Sequence, residues 1–425
     1  MKRAALHNLG CKVNAYETEK MRKLLEKADY EIVPFSEEAD VYVINTCSVT
    51  AIADKKSRQM IRRARRKNPK AIVVAAGCFA QGVSEAELAE LGCDLAIGNN
   101  EKNRLIERLK EYEANASRFL LYRKERWEKG DRFEEWEEET AQNKSRTRAF
   151  VKVQDGCDRF CSYCIIPFLR GRSRSRLVSN VITEIRRLCE AGYQEIVLTG
   201  IHVSDYASEG TDLLGLCRAI DRETDVKRLR LGSLEPNVVT EEFAKGLSEL
   251  PSICPHFHLS LQSGSDTVLR RMNRRYTTAE FAEGVRLLRS SFENPAITTD
   301  VIAGFPGETE EEFLEGTVFL ERMRFFEMHV FPYSRRPGTK ADEMDGQISC
   351  AVKDERTAQW IALAERMSEA YRALWDGKEA EVLFERKEKV GEREQWTGFS
   401  REYVRFYHSS EEDLTNKIVR LQYKR

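Results

Sequence analysis

Ala149-Phe150-Val151-Lys152-Val153-Gln154 is a short, largely apolar run, and it feeds directly into Asp155-Gly156-Cys157-Asp158-Arg159-Phe160-Cys161-Ser162-Tyr163-Cys164. The run reads as a β-strand, so three cysteines crowd into the loop at its carboxyl end. The unit then repeats. Candidate strands Glu195–Thr199, Arg228–Gly232, His256–Leu261, Ala296–Ile302 and Phe325–Phe331 alternate with helical periods near Val178–Ala191, Leu213–Glu223, Thr240–Glu249, Thr277–Ser291 and Glu310–Arg322. Six strand–helix units suit a partial, open (βα)6 barrel, a fold that builds its sites at the carboxyl ends of its strands.

Upstream, the alternation already holds. Strands at Ala4–Leu9, Val41–Asn45 and Ala71–Ala76 are followed by helices at Ala15–Lys27, Ala51–Lys67 and Ser84–Leu91. That order implies a doubly wound parallel sheet. Cys11, Cys47 and Cys78 each follow one of these strands. The carboxyl ends of an open parallel sheet share one edge, so three cysteines distant in sequence converge.

The chain is therefore read as α/β in four segments. Residues 1–120 form the doubly wound domain, and 121–148 a charged linker with Trp127 and Trp136. Residues 149–375 form the barrel with a long helix at Val352–Tyr371. Residues 376–425 alternate polar and apolar residues over Glu379–Phe384, Gln395–Ser400, Tyr403–Tyr407 and Lys417–Tyr423, as a small antiparallel β-barrel does. At roughly 150 residues per domain, 425 residues fit about three domains.

Lys+Arg 69 against Asp+Glu 70 leaves a net charge of −1, so a nucleic-acid partner must be held by local patches. No apolar run is long enough for a membrane helix, and His7 and Asn8 interrupt any signal-peptide core. A cytoplasmic chain without a membrane partner is expected. Thiols stay reduced there, which turns attention to cysteine spacing.

C-x3-C-x2-C places three thiolates where each can take one iron of a cubane 4Fe-4S cluster, leaving the fourth iron open to a ligand. Cys93, Cys189, Cys217, Cys254 and Cys350 have no partners at such spacing and read as structural.

The cysteine loop, with Tyr163 before its last cysteine and a βα barrel around it, resembles the radical S-adenosylmethionine (SAM) superfamily. Gly10-Cys11-Lys12-Val13-Asn14, Asn45-Thr46-Cys47-Ser48-Val49-Thr50 and Ala76-Gly77-Cys78-Phe79-Ala80-Gln81 resemble the methylthiotransferases within it. The resemblance covers nearly the whole chain, including a C-terminal barrel like the TRAM RNA-binding module. It implies two 4Fe-4S clusters, one on Cys157, Cys161 and Cys164 and an auxiliary one on Cys11, Cys47 and Cys78. It also implies the reaction: one SAM methylates sulfur at the auxiliary cluster, a second yields a radical that takes hydrogen from carbon, and the carbon takes up the methylthio group. An external electron donor, flavodoxin- or ferredoxin-like, is implied as well.

SAM itself needs contacts at the barrel's carboxyl end. Candidates are Tyr163, Gly200 after Thr199, Glu235 in Ser233-Leu234-Glu235-Pro236, Gln262 and Ser263 in Leu261-Gln262-Ser263-Gly264, and Arg274. Glu235 is read toward the ribose and Arg274 toward the SAM carboxylate. Ile302-Ala303-Gly304-Phe305-Pro306-Gly307-Glu308 resembles the superfamily stretch that packs on adenine.

Two basic runs flank the cysteines. One is Lys55, Lys56, Arg58, Arg62, Arg63, Arg65, Arg66 and Lys67, and the other is Arg170, Arg172, Arg174 and Arg176. Both are expected to touch RNA phosphates. The segment from Glu379 onward is net neutral, so its RNA role rests on Trp396, Phe399, Tyr403, Phe406 and Tyr407 as stacking rings and on Arg401, Arg405 and Lys417 sharing a face. Lys12-Val13 after Cys11 resembles the subgroup that acts on N6-threonylcarbamoyladenosine beside the anticodon of tRNA, with the anticodon loop as partner. Isopentenyladenosine in tRNA, an aspartate of ribosomal protein S12, and a two-cluster electron carrier that makes no radical stand as alternatives.

Overall fold

The structure, a computed structural model, describes residues 1–115, 119–123, 128, 131–136, 147–391 and 393–424. Trp127 and most of the charged linker lie outside the described residues. The chain divides into two compact units. The first comprises Met1–Ala141, Gln154–Arg176 and Ser334–Asp342, and the second Gln142–Val153, Leu177–Tyr333 and Glu343–Arg425. The cysteine loop therefore groups with the N-terminal residues, although its strand belongs to the second unit.

In the first unit, strands β1 (Lys2–Asn8), β2 (Tyr30–Val33), β3 (Val41–Thr46), β4 (Ile72–Gly77), β5 (Leu95–Ile97) and β6 (Leu120–Tyr122) form one sheet in the order β2-β1-β3-β4-β5-β6. Every pairing is parallel. Helix α1 (Lys12–Lys27) covers one face and α2 (Ala51–Lys67) the other. The side-chain period of two explains how one strand serves both. Val41 and Val43 of β3 pack with Met21 and Leu25 of α1, while Tyr42 and Ile44 pack with Ile61 and Ala64 of α2. The chain passes from β1 to β2 on one side and then to β3 on the other, so the topological switch lies between β1 and β3. Of the segment read as a linker, Leu121 and Tyr122 belong to the sheet strand Leu120–Tyr122, and Trp136 packs on the α1-side core.

In the second unit, β7 (Arg148–Lys152), β8 (Glu195–Thr199) and β9 (Arg228–Leu231) form a parallel sheet in the order β9-β8-β7. A second parallel sheet holds β10 (His256–His258), β11 (Ala296–Ala303) and β12 (Glu327–Pro332) in chain order. Single bridges, Leu229 to Ile253 and Leu234 to Leu259, join the two sheets. The result is six parallel strands in sequence order, an open barrel. A core between strands and surrounding helices includes Ile196, Leu198, Ile297, Val301, Phe281, Phe313 and Trp360.

The C-terminal strands β13 (Glu379–Val390), β14 (Arg393–Ser400), β15 (Arg405–His408) and β16 (Ile418–Gln422) form one antiparallel sheet in the order β15-β14-β13-β16. Its edge strands are not paired with each other among the described residues. This sheet meets the barrel at the amino end of the first strands. Buried Arg228 donates to the carbonyls of Glu381 (2.6 Å) and Phe399 (2.9 Å), and buried Arg230 to that of Arg401 (2.9 Å). Both guanidiniums lie within 3.8 Å of Glu195, so these buried charges are paired as burial requires. No helix among the described residues is long and apolar enough to cross a membrane.

Candidate active site

The N-terminal cysteines sit at the carboxyl ends of three adjacent strands. Cys11 is the N-cap of α1, Cys47 follows β3 directly, and Cys78 opens the short helix Cys78–Gly82 after β4. They therefore bracket the switch point. Gly10 and Gly77 both take φ +94, a region L side chains rarely adopt. A Cβ on Gly10 would stand 2.6 Å from Cys47 Sγ. Two asparagines lace the loops together. Asn14 donates to the carbonyls of Leu9 (2.7 Å) and Thr46 (3.0 Å), and Asn45 donates to that of Asn14 (2.9 Å). Cys11 is exposed while Cys47 and Cys78 are buried. Burial pushes the Cys47 thiol up to about 11, with Cys78 and Cys11 adding to the effect. Burial thus favours the neutral thiol, and metal coordination would deprotonate it.

The second trio is folded by a tight loop. Cys157 N–H donates to Gly171 O (3.0 Å) and Cys164 N–H to Cys161 O (2.9 Å). Gly156, at φ +72, lies where a Cβ would be 2.0 Å from Arg172 O. Asn99 joins the two regions, its Nδ2 reaching Leu169 O (3.0 Å) and Cys78 Sγ (3.6 Å). Among the described residues, the His/Cys/Asp/Glu trio whose ligand atoms all lie within 4.8 Å is His258, Asp300 and His329. Neither cysteine trio is gathered that closely, whereas thiolates on one tetrahedral zinc would stand roughly 3.8 Å apart.

Buried charge surrounds these cysteines. Arg170 Nη1 lies 3.0 Å from Glu17 and 3.1 Å from Asp155, and its Nη2 donates to Asn14 Oδ1 (2.8 Å). Lys102 also pairs with Glu17, and Arg174 lies 3.5 Å from Asp155. All five charged side chains are buried. These five carry three cations and two carboxylates, so each buried charge has an opposite partner. Burial, ahead of the opposing pull of Glu17, holds the Lys102 ammonium below its ordinary pKa. The sequence pattern held a signal for part of this: Asn14 and Glu17 stand three and six residues after Cys11, one helix face.

This network corrects one expectation. Arg170, Arg174 and Arg176 are buried, and Arg176 pairs with Glu135 at 2.7 Å, so they do not offer phosphate contacts; Arg172 alone of that run is exposed. The α2 run fares better. Lys55, Lys56, Arg62, Arg63, Arg66 and Lys67 are exposed, while Arg58 and Arg65 pair with Glu87 and Asp94. The C-terminal rings are mostly committed. Trp396 and Phe406 are core, Phe399 and Tyr403 stack on each other at 4.6 Å with Arg148 against both, and Arg401 donates to the Ile253 carbonyl. Tyr407 remains exposed.

In the second unit, Gly200 follows β8 directly. Glu235 and Arg274, assigned separate contacts from the sequence, hold each other at 3.2 Å and are buried. His202 lies between Glu235 (3.2 Å) and Asp205 (2.8 Å). Gln262 takes φ +71, ending the strand-like run after β10, and Ser263 is buried and accepts from Ser265 N–H (3.3 Å). Sequence reading passed over His202, whose lone position after Gly200-Ile201 carries no motif. Cys93, Cys217 and Cys254 are buried and their thiols are pushed up, to about 12, 12 and 11, by that burial. They behave as small apolar residues.

Residues 151–317 match the radical SAM superfamily, and residues 3–98 match uncharacterised protein family UPF0004. The class of protein is thus a radical SAM protein with an N-terminal domain of its own. The threonylcarbamoyladenosine tRNA methylthiotransferase MtaB of Bacillus subtilis is 40% identical over 99% of this chain and 94% of its own. That of Aquifex aeolicus is 39% identical over 90% of this chain and 92% of its own. The tRNA-2-methylthio-N(6)-dimethylallyladenosine synthase of Moorella thermoacetica is 33% identical over 98% and 94%. The chain belongs to this family of radical SAM tRNA methylthiotransferases. Among solved structures, the radical SAM methyltransferase TsrM of Kitasatospora setae shares the fold, with a TM-score of 0.61 at 17% identity over 80% of this chain and 75% of that one. The family carries 4Fe-4S clusters and SAM, and the cysteine trios above fit them.

Proposed function

We propose that this enzyme adds a methylthio group to C2 of N6-threonylcarbamoyladenosine at position 37 of tRNA. The observation that carries the reading is the presence of two cysteine trios in one compact unit, tied through buried Arg170 and Glu17. The choice of base is supported by the relatives. Those named for threonylcarbamoyladenosine are 36–40% identical, and those named for dimethylallyladenosine 32–33%.

Cys157, Cys161 and Cys164 are assigned to the cluster that binds SAM, and Cys11, Cys47 and Cys78 to the auxiliary cluster. When bound, the clusters and SAM supply the methyl donor and the one-electron chemistry that opens an unactivated C–H bond. The chain's own part is to hold and orient them. Gly10 and Gly77 let the loops close, Asn14 and Asn45 fix their spacing, and Arg170 and Lys102 balance charge. In the second unit, Gly200, Glu235, Gln262, Ser263 and Arg274 are assigned to SAM, with the Arg274–Glu235 pair fixing the guanidinium. Tyr163 is given the same role from its place beside Cys164. The exposed face of α2 is assigned to RNA phosphates. The C-terminal sheet is assigned to the TRAM-like class on its strand number and antiparallel order. A flavodoxin- or ferredoxin-like donor in the cytoplasm would supply electrons.

The test is anaerobic incubation of reconstituted protein with SAM, a reductant and tRNA, followed by mass spectrometry of nucleosides. 2-Methylthio-N6-threonylcarbamoyladenosine is the expected product. Methylthiolation of isopentenyladenosine alone would overturn the choice of base, and absence of 5′-deoxyadenosine would overturn the enzyme reading.

A further inference from the structure

The short helix Ile166–Arg170, just past the cysteine loop, buries Ile166, Pro167, Leu169 and Arg170 but leaves Phe168 54% exposed. A lone exposed phenylalanine is ordinary on a protein surface. This one is not alone. Its ring meets that of Phe160 edge-on, centroids 5.8 Å apart at 80°. Phe160 stands between Cys157 and Cys161 and takes φ +49, an uncommon state for a bulky residue. The Arg172 guanidinium lies 4.7 Å from the Phe160 ring centre, with its side chain 46% exposed and 3.2 Å from Asp158. An exposed aromatic face, a strained aromatic backbone and a cation thus occur together on the rim of the loop that carries the second cysteine trio. Strain of this kind gathers at functional positions.

We propose that Phe168, backed by Phe160 and Arg172, is a stacking platform for an unpaired nucleobase of the RNA substrate. This deepens the function proposed above and rests on it. A base buried in a stack must leave it before a group can be inserted at C2, and its departure strips a stacking face from its neighbour. A solvent-facing phenyl ring offers a sequence-tolerant replacement for that face, and a guanidinium beside it suits the adjoining phosphate. An apolar protein partner would gain the ring but would bury the Arg172 charge. Phe168 is thus a positioning residue for the RNA.

The experiment uses full-length, anaerobically reconstituted protein and a fluorescent anticodon stem-loop RNA bearing N6-threonylcarbamoyladenosine, with an RNA duplex of equal length as reference. Phe168→Ala is expected to weaken stem-loop binding about tenfold. Phe168→Trp should restore it and Phe168→Leu should not, with iron content equal in all three. Arg172→Gln should lower the salt dependence of binding by about one phosphate contact. Equal stem-loop affinity in wild type and Phe168→Ala overturns the platform and leaves the proposed function standing. A wild type that binds the stem-loop no better than the duplex overturns both. If Phe168→Ala instead loses SAM cleavage driven by flavodoxin but not by dithionite, with RNA binding intact, the patch docks the electron donor and the proposal is wrong.

Discussion

Arg170 reaches back to Glu17 at 3.0 Å, joining the segment after the C-x3-C-x2-C loop to the helix that Cys11 begins, and each side chain is 1% exposed. Both charges have left water, so each depends on the other. Arg170→Met would remove the guanidinium that Glu17 and Asp155 share, leaving Lys102 beside Glu17 and Arg174 beside Asp155. The expected cost is about 3–5 kcal/mol, read as a lower denaturant midpoint. Arg170→Met combined with Glu17→Leu should cost clearly less than the two single changes added together. Strict additivity would show that the pair is not coupled.

The two trios should fail differently. Cys161→Ala is expected to stop formation of 5′-deoxyadenosine, because its cluster is the one assigned to SAM. Cys47→Ala should leave part of that activity while abolishing methylthio transfer. Chromatographic quantitation of 5′-deoxyadenosine beside nucleoside mass spectrometry separates the outcomes. Equal loss of both products in Cys47→Ala would mean that the trios do not have separate roles.

Gly10 gives a sharper test of the auxiliary trio, because its change leaves every cysteine in place. Alanine there must tolerate φ +94 and displace the Cys47 side chain, which stands 2.6 Å from the new Cβ. Gly10→Ala should therefore take up about four irons per chain in place of about eight, measured anaerobically after reconstitution. An unchanged iron count would show that the trio tolerates rearrangement.

How much of this was legible beforehand follows from which signals are local. Ala51–Lys67 was readable to the residue because Thr50 caps it and its apolar residues keep the helical period. The strand ends that place all six cysteines were readable from apolar runs, ended by Gly10, Gly77 and Gly156 in three cases and by Asn45-Thr46 before Cys47. The short strands Tyr30–Val33, Leu95–Ile97 and Leu120–Tyr122 were not, since three or four residues carry too little period. The run of arginines after Cys164 misled because residue type cannot say which side of a surface a charge occupies. Glu17 and Asp155, distant in sequence, decide that, and only the folded chain brings them together. The C-terminal rings misled for the same reason, since Arg148 and Arg230, far upstream, claim Tyr403.

His202 should make the second unit sensitive to pH. Burial pulls its pKa down, but hydrogen bonds with Asp205 and Glu235 outweigh this, and the net shift is upward from 6.5. The folded protein therefore holds this proton more tightly than the unfolded chain. The resulting stability is fully present below pH 6.5 and drains away as pH rises through the folded value, by at most about 1.4 kcal/mol per pH unit. Urea midpoints of the apoprotein should fall over that window, and His202→Gln should flatten the fall. The imidazolium also touches the carboxylate that holds Arg274, so SAM affinity should weaken over the same window in wild type and lose that dependence in His202→Gln. A pH profile that His202→Gln leaves unchanged would place the titrating group elsewhere.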